Sequence, residues 1–209
     1  MNILNSGFLL STLDGSEIIF NKGVQFPISY KLENGIIYNQ KDTPYCAPFV
    51  IKSIINYQYK IFKDSIISID EKDLYSKRNR RIANEGMSPK DCFEILKNIG
   101  VKTNINNKIV KILRYEKLTN IVSIKQAILL NGPVFFVLTV RDNNDFTEFW
   151  KGENVIGGHA IAAIGWNNSG IILKNSYGSE WGNGGIYIIS YEDLMKNLLE
   201  AWTCETLLN

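Results

Sequence analysis

An α+β fold of two lobes, mainly helical in the N-terminal half and β-rich in the C-terminal half, is what this sequence predicts. Two observations carry the expectation. Between Cys46 and Phe62, and again between Ser88 and Gly100, apolar residues recur at helical spacing inside start and stop signals. Beyond Gly132 the pattern changes to short apolar runs, such as Ala160–Ile164 and Ile171–Asn175, bounded by Gly, Asn and Ser. With 209 residues, 45% apolar content and scattered charge, the chain suits one compact domain with an ample core.

The elements follow in order. Residues 1–25 form an N-terminal extension with strand-like apolar stretches around Asp14-Gly15, expected as a hairpin or a short segment lying on the domain of residues 26–209. A helical lobe runs from about Gly35 to Asn120. Its first helix carries Phe49, Val50, Ile54, Ile55, Ile61 and Phe62 on a buried face; Pro48 is tolerated in a first turn, which puts Cys46 at the helix N-terminus. Its second starts at Ser88-Pro89 and stops at Gly100, enclosing Cys92 as small buried filler. A helix from Ser123 to Asn131, with a Ser123/Gln126 capping box, introduces the β lobe of about 132–190. There, Trp166–Gly170, including the Asn167-Asn168-Ser169 glycosylation-type triplet, makes a hairpin turn. Ser190 and Asp193, ahead of Leu194-Met195 and Leu198-Leu199, signal a last helix and tail over 190–209.

The chain has one histidine, His159, in Gly-Gly-His-Ala-Ile-Ala-Ala-Ile-Gly-Trp. A lone histidine beside apolar residues is more often a hydrogen-bonded core residue than a catalyst. Here the glycines place it at a strand start, and pairing that strand with the one ending at Asn175 brings the two side chains to one sheet edge. An amide oxygen there fixes the imidazole tautomer and leaves the second nitrogen for a nucleophile. Of the three cysteines, Cys204 has no local signature, while Cys46 sits where the helix dipole and an imidazolium both favour thiolate. Six residues before it stands Gln40, whose amide, with the Cys46 N–H, could give two donors to an oxyanion.

These residues, with Leu-Lys-Asn-Ser at 173–176 and Gly-Ser-Glu-Trp-Gly-Asn-Gly-Gly-Ile-Tyr at 178–187, make the chain resemble the papain-like cysteine peptidases from about Phe26 onward. The resemblance implies a two-lobed fold with the active-site cleft between lobes. It implies Cys46 as nucleophile, His159 as base and later acid, Asn175 as its orienter and Gln40 as oxyanion donor. Glu85-Gly86 looks like the substrate-binding strand, and Gly132-Pro133-Val134 like the entry to the β lobe. Gly86 and Met87 would offer backbone groups to an extended polypeptide. Met87, Val137, Gly158 and Ala160 would contact the substrate in a pocket suited to a bulky apolar side chain, and Trp181 would pack against the Asn–His pair. The expected reaction is endopeptidase hydrolysis through an acyl-enzyme, with transpeptidation as its variant and no cofactor or metal.

Several positions depart from the family pattern. Thr43-Pro44-Tyr45 replaces the small residues usual before the nucleophile, Ala47 stands for the following tryptophan, Met87 for a glycine, and Tyr177 for the tryptophan after Asn-Ser. The stiffened loop supports an alternative reading, a catalytically impaired relative acting as a peptide-binding or structural part of an assembly. A formal net charge of +2 does not suggest a nucleic-acid partner, and the basic run Lys77-Arg78-Asn79-Arg80-Arg81 reads as a solvated face. No apolar run spans a membrane and no signal peptide is evident; with an odd number of cysteines, the expectation is a cytoplasmic protein without a disulfide framework. Heavy Ile, Asn and Lys usage points to an AT-rich bacterial or viral genome, and so to a virion-associated location or a viral assembly as further expectations.

Overall fold

The computed structural model describes residues 25–79, 85–104, 108–143 and 145–207; the hairpin expected in Met1–Val24 falls outside them. After a short strand β1 (Tyr30–Lys31), helix α1 (Cys46–Lys63) runs through the middle of the molecule, and α2 (Glu71–Ser76) and α3 (Pro89–Asn98) lie beside it. A small ribbon, β2 (Val101–Lys102) and β3 (Ile109–Val110), is followed by β4 (Ile112–Leu118), α4 (Ile121–Asn131), β5 (Val134–Arg141), β6 (Val155–Trp166), β7 (Gly170–Lys174), β8 (Ile186–Ser190), α5 (Tyr191–Asn197) and β9 (Leu198–Thr206). All pairings are antiparallel, in the order β4-β9-β5-β6-β7-β8, with β1 added to β6. The fold is α+β, as expected.

The expected helices start where the sequence says, with one shift; α2, capped by the Asp70 side chain, is not among them. Ser88 caps α3 by accepting from the Asp91 N–H, and Ser190 caps α5 by accepting from Asp193. Helix α4 begins two residues before the expected Ser123: Asn120 is its cap, Ser123 donates its backbone N–H to Asn120 Oδ1 at 2.9 Å, and the Ser123 hydroxyl accepts from the Asn120 N–H. The capping box therefore pairs Asn120 with Ser123 rather than Ser123 with Gln126: asparagine caps as well as serine does, and starting there adds Ile121 and Val122 to the first turn.

The sheet is larger than the sequence suggested at both ends. Residues 112–118, expected in the helical lobe, form β4, apolar at its ends and mixed between, and pair with β9. The last helix stops at Asn197 instead of continuing through Leu198-Leu199. Asn197 is pinned there: its Nδ2 donates to Asp193 O, its Oδ1 accepts from Arg141, and its carbonyl accepts from Thr139. The next nine residues enter the sheet between β4 and β5.

Buried side chains tie the lobes together. Phe93 of α3 packs on Tyr115, Phe135 and Trp202 of β4, β5 and β9. Gln58 of α1 donates to the carbonyls of Asn131 and Cys204 and accepts from the Thr206 N–H, so α1 is fastened to the chain's last strand. A Cβ on Gly165 would lie 2.3 Å from the Tyr30 carbonyl oxygen; only glycine lets β1 pair with β6 here. Asn167 Oδ1 accepts from the N–H groups of Ser169 and Gly170, which forms the predicted hairpin turn. In the basic run, Lys77 is paired with Asp73, and the Arg78 guanidinium lies 3.6 Å from the Tyr75 ring centroid, so these two are held rather than freely solvated. Among the described residues no helix is long and apolar enough to cross a membrane.

Candidate active site

Cys46 is the first residue of α1, as the placement of Pro48 predicted. Tyr45, its N-cap, gives no side-chain cap bond, so the first-turn N–H groups are left to the thiol and to whatever binds beside it. Burial raises the Cys46 thiol pKa, yet the net shift is downward. The hydrogen bond and charge of His159, with the N–H groups of Ala160 and Ala47, favour the thiolate enough to overcome burial. The other two thiols go the opposite way: burial pushes Cys92 well above its ordinary value and Cys204 up to about 12. All three are free cysteines.

His159, on β6, is 4% exposed, and its Nε2 lies 2.8 Å from Asn175 Oδ1. The same oxygen accepts from the Ser176 N–H at 2.8 Å, which fixes the amide orientation. Because Oδ1 can only accept, Nε2 carries a proton, and the neutral imidazole keeps its lone pair on Nδ1. The ring is clasped by Tyr177, with centroids 4.7 Å apart, and edge-on by Phe149 at 5.1 Å. Trp181, expected against this pair, donates its indole N–H to Phe146 O at 2.7 Å and packs its ring on Tyr187, while the ring contacts of His159 itself are with Tyr177 and Phe149. The residue directly following Asn175-Ser176 reaches the imidazole first, so Tyr177 takes the covering position.

Gln40 is buried and joined to the Asn175 segment. Its backbone N–H donates to Ser176 O at 2.7 Å, Gly178 donates to Tyr38 O, and Asn39 bridges Tyr177. The Ser176 hydroxyl donates to Gln40 Oε1 at 2.6 Å, which sets the amide so that Nε2 is the donor end. One Nε2 hydrogen goes to Thr43 O at 2.8 Å; an amide has a second. The Thr43 hydroxyl and N–H both return to Gln40 O, and Tyr45 packs on Tyr75 at 4.5 Å, so the unusual Thr-Pro-Tyr loop is a closed turn anchored at both ends.

The expected substrate-contacting residues fall in two groups. Gly86 and Met87 line a cavity of about 650 Å³ with Arg78, Ser88 and Lys90. Val137 and Ala160 are directly opposite each other on β5 and β6, and a Cβ on Gly158 would meet Val137 at 3.3 Å. This second group does not line the first cavity, but the Ala160 N–H reaches the Cys46 thiol, so it adjoins Cys46. Sequence reasoning missed Ser176, Tyr177 and Phe149 as parts of the site. The first two are neighbours of Asn175, which is the one signal that could have found them; Phe149 has none.

The neighbouring Lys174 is 7% exposed, makes no ion pair among the described residues, and lies over the Tyr38 ring at 5.6 Å; burial lowers its pKa to about 8.

Known proteins share this fold. In overall fold the chain is similar to xylellain, a cysteine protease from Xylella fastidiosa, at 15% identity and TM-score 0.73 over 88% of each chain. It is also similar to the Carica candamarcensis cysteine protease CMS1MS2, solved in complex with E-64, at 19% identity and TM-score 0.65 over 86% of this chain and 99% of that one. A third such structure is procathepsin B S9 from Trypanosoma congolense, at 13% identity and TM-score 0.72, over 88% of this chain and 79% of that one. In sequence, 80 residues are 34% identical to an uncharacterized peptidase C1-like protein, L477, of Acanthamoeba polyphaga mimivirus, spanning 33% of this chain and 26% of that protein's length. The model of the papain family cysteine proteases matches residues 51–201, a stretch that includes His159 and Asn175 and begins after Cys46 and Gln40. Matched over more than half its length, the chain belongs to the papain family of cysteine proteases.

Proposed function

We propose that the protein is a cysteine endopeptidase that hydrolyses peptide bonds through Cys46, His159 and Asn175, with Gln40 as oxyanion donor. The observation that carries this reading is the contrast among the thiols: at Cys46 alone do a helix N-terminus and an imidazole meet and favour the thiolate, while Cys92 and Cys204 are held protonated. His159 Nδ1 takes the Cys46 proton, and the thiolate attacks the scissile carbonyl. The resulting oxyanion lies toward the Cys46 N–H and the remaining Nε2 hydrogen of Gln40. His159 then protonates the leaving amine; afterwards it removes a proton from water, whose attack releases the acyl group and restores the thiol. An amine taking the place of that water gives transpeptidation. Val137, Gly158 and Ala160 supply a small apolar surface beside the thiol, and Gly86 and Met87 supply backbone groups to an extended chain.

One observation favours the second reading, peptide binding without turnover: Thr43 O already occupies one of Gln40's two Nε2 hydrogens. The two readings part on thiol reactivity. A limiting dose of iodoacetamide at about pH 6, where ordinary thiols with pKa about 8.5 are nearly all protonated, should label Cys46 ahead of Cys92 and Cys204. The preference should vanish in His159→Ala, and E-64 should modify the same residue. Equal labelling of Cys46 and the thiols of the unfolded chain would exclude catalysis.

A further inference from the structure

We propose that Tyr177 is a positioning residue of the Cys46–His159 pair, whose phenolic hydroxyl accepts the Nδ1–H of the imidazolium and so stabilises the charged form of the catalytic histidine. This rests on the cysteine-peptidase reading. The Tyr177 hydroxyl lies 3.2 Å from His159 Nδ1, the nitrogen left over once Asn175 holds Nε2. Its ring is tilted 35° against the imidazole at 4.7 Å, so the contact comes from a side chain packed on the ring rather than reaching over it. The backbone bridge from Tyr177 to Asn39, beside Gln40, fixes where the ring starts.

A phenol suits both states of the ring. It donates to the Nδ1 lone pair of the neutral imidazole and accepts from Nδ1–H of the imidazolium, having one hydrogen and two lone pairs. The second bond is charge-assisted and about twice as strong as the first, so the hydroxyl favours the imidazolium overall. Burial, with the nearby charge of Cys46, pushes the Tyr177 pKa up to about 12, which keeps the phenol neutral and able to serve in both roles. With an imidazolium, its hydrogen is also free to turn toward the thiolate. A side chain lacking an oxygen acceptor could cover the same ring and could not do this.

The other titratable groups on the elements around His159 are few. Cys46 comes from α1, Lys174 precedes Asn175 at the end of β7, and the Glu148–Lys151 pair flanks Phe149. Of these, Cys46 also bonds the imidazole, at the nitrogen that Asn175 leaves over, and blocking it as a methyl disulfide takes away that competitor for Nδ1.

The single histidine makes the test direct, since the imidazole resonances of the untagged chain need no assignment. With Cys46 blocked as a methyl disulfide, His159 is titrated by NMR in the wild type, Tyr177→Phe, Tyr177→Trp and, as a control tyrosine bonded to Glu148, Tyr187→Phe. A long bond to a charged group predicts that Phe and Trp both lower the histidine pKa by about one unit, and that Tyr187→Phe leaves it in place. In the unblocked enzyme, the pH profile of Cys46 alkylation should narrow in both Tyr177 variants, its acid limb moving up and its alkaline limb down. Coincident histidine titrations for the wild type and either Tyr177 variant would overturn the proposal while leaving the peptidase reading standing. A wild-type Cys46 without low-pH reactivity would overturn both.

Discussion

Lys174 offers the sharpest quantitative test of the structure, because its charge is buried with no ion-pair partner among the described residues. Passing from the ordinary value of 10.5 to about 8, at about 1.4 kcal/mol for each unit, costs the folded state about 3 kcal/mol wherever the amine must be charged. The Tyr38 ring at 5.6 Å returns about 0.5–1 kcal/mol of that through its face. Lys174→Met keeps the apolar stem and removes the charge, so it should stabilise the protein at pH 7 by about 2 kcal/mol. The pH dependence follows from the sign. Between about 8 and 10.5 the unfolded chain holds the proton and the folded one does not, so wild-type stability rises with pH across this window. The advantage of Lys174→Met should shrink over the same window. Urea unfolding at pH 7, 8.5 and 10, with Cys46 alkylated to prevent self-cleavage, reads both effects. A destabilised Lys174→Met at pH 7, or a gap that does not change with pH, would show that an anion or solvent reaches the amine and that the burial argument is wrong.

Two further outcomes follow from the hydrogen bonds around the imidazole. Asn175→Ala removes the acceptor from Nε2 of the buried His159, and should lower kcat/KM by about ten- to a hundredfold, as one unsatisfied buried donor implies; peptide-substrate kinetics beside a thermal melt separate this from unfolding. Gln40→Ala should cost about 10²–10³ in kcat if its free N–H faces the oxyanion, with little change in the low-pH alkylation of Cys46, since the amide's hydrogen bonds among the described residues go to Thr43 and Ser176 rather than to the thiol or imidazole; a parallel loss of alkylation would mean Gln40 acts by holding the loop instead.

How much of this was legible beforehand depends on how local each determinant is. Cys46 at a helix start could be read because proline restricts the first turn to a few residues, and the meeting of His159 with Asn175 because a short hairpin turn pairs their two strands, although a bulge between Ala163 and Gly165 shifts the register and His159 lies inside β6 rather than at its start. The last strand could not. Ser190, Asp193 and the following leucines specify a helix start correctly, but the helix end is set by Asn197's bonds to Arg141 and Thr139, more than fifty residues away in sequence. Once Asn197 is held by β5, continuing the helix would forfeit a place between two open strand edges, and local propensity loses to a double row of backbone pairing.

The same division of local from distant causes explains the imidazole's surroundings. The sequence names an aromatic residue after Asn175-Ser176 and another at Trp181, and by chemical type alone the indole is the better cover for a hydrogen bond. What puts Tyr177 on the imidazole is the bridge from Asn39 to Tyr177 and the bond from Gly178 to Tyr38, which draw the 176–178 turn toward the Gln40 loop, while the Trp181 indole N–H bonds Phe146 O. The loop that carries Gln40 therefore also positions the Tyr177 ring beside His159. Substitutions in Thr43-Pro44-Tyr45 act on both, so a loosened loop should cost acylation twice: once through Gln40, and once through the hydroxyl at Nδ1.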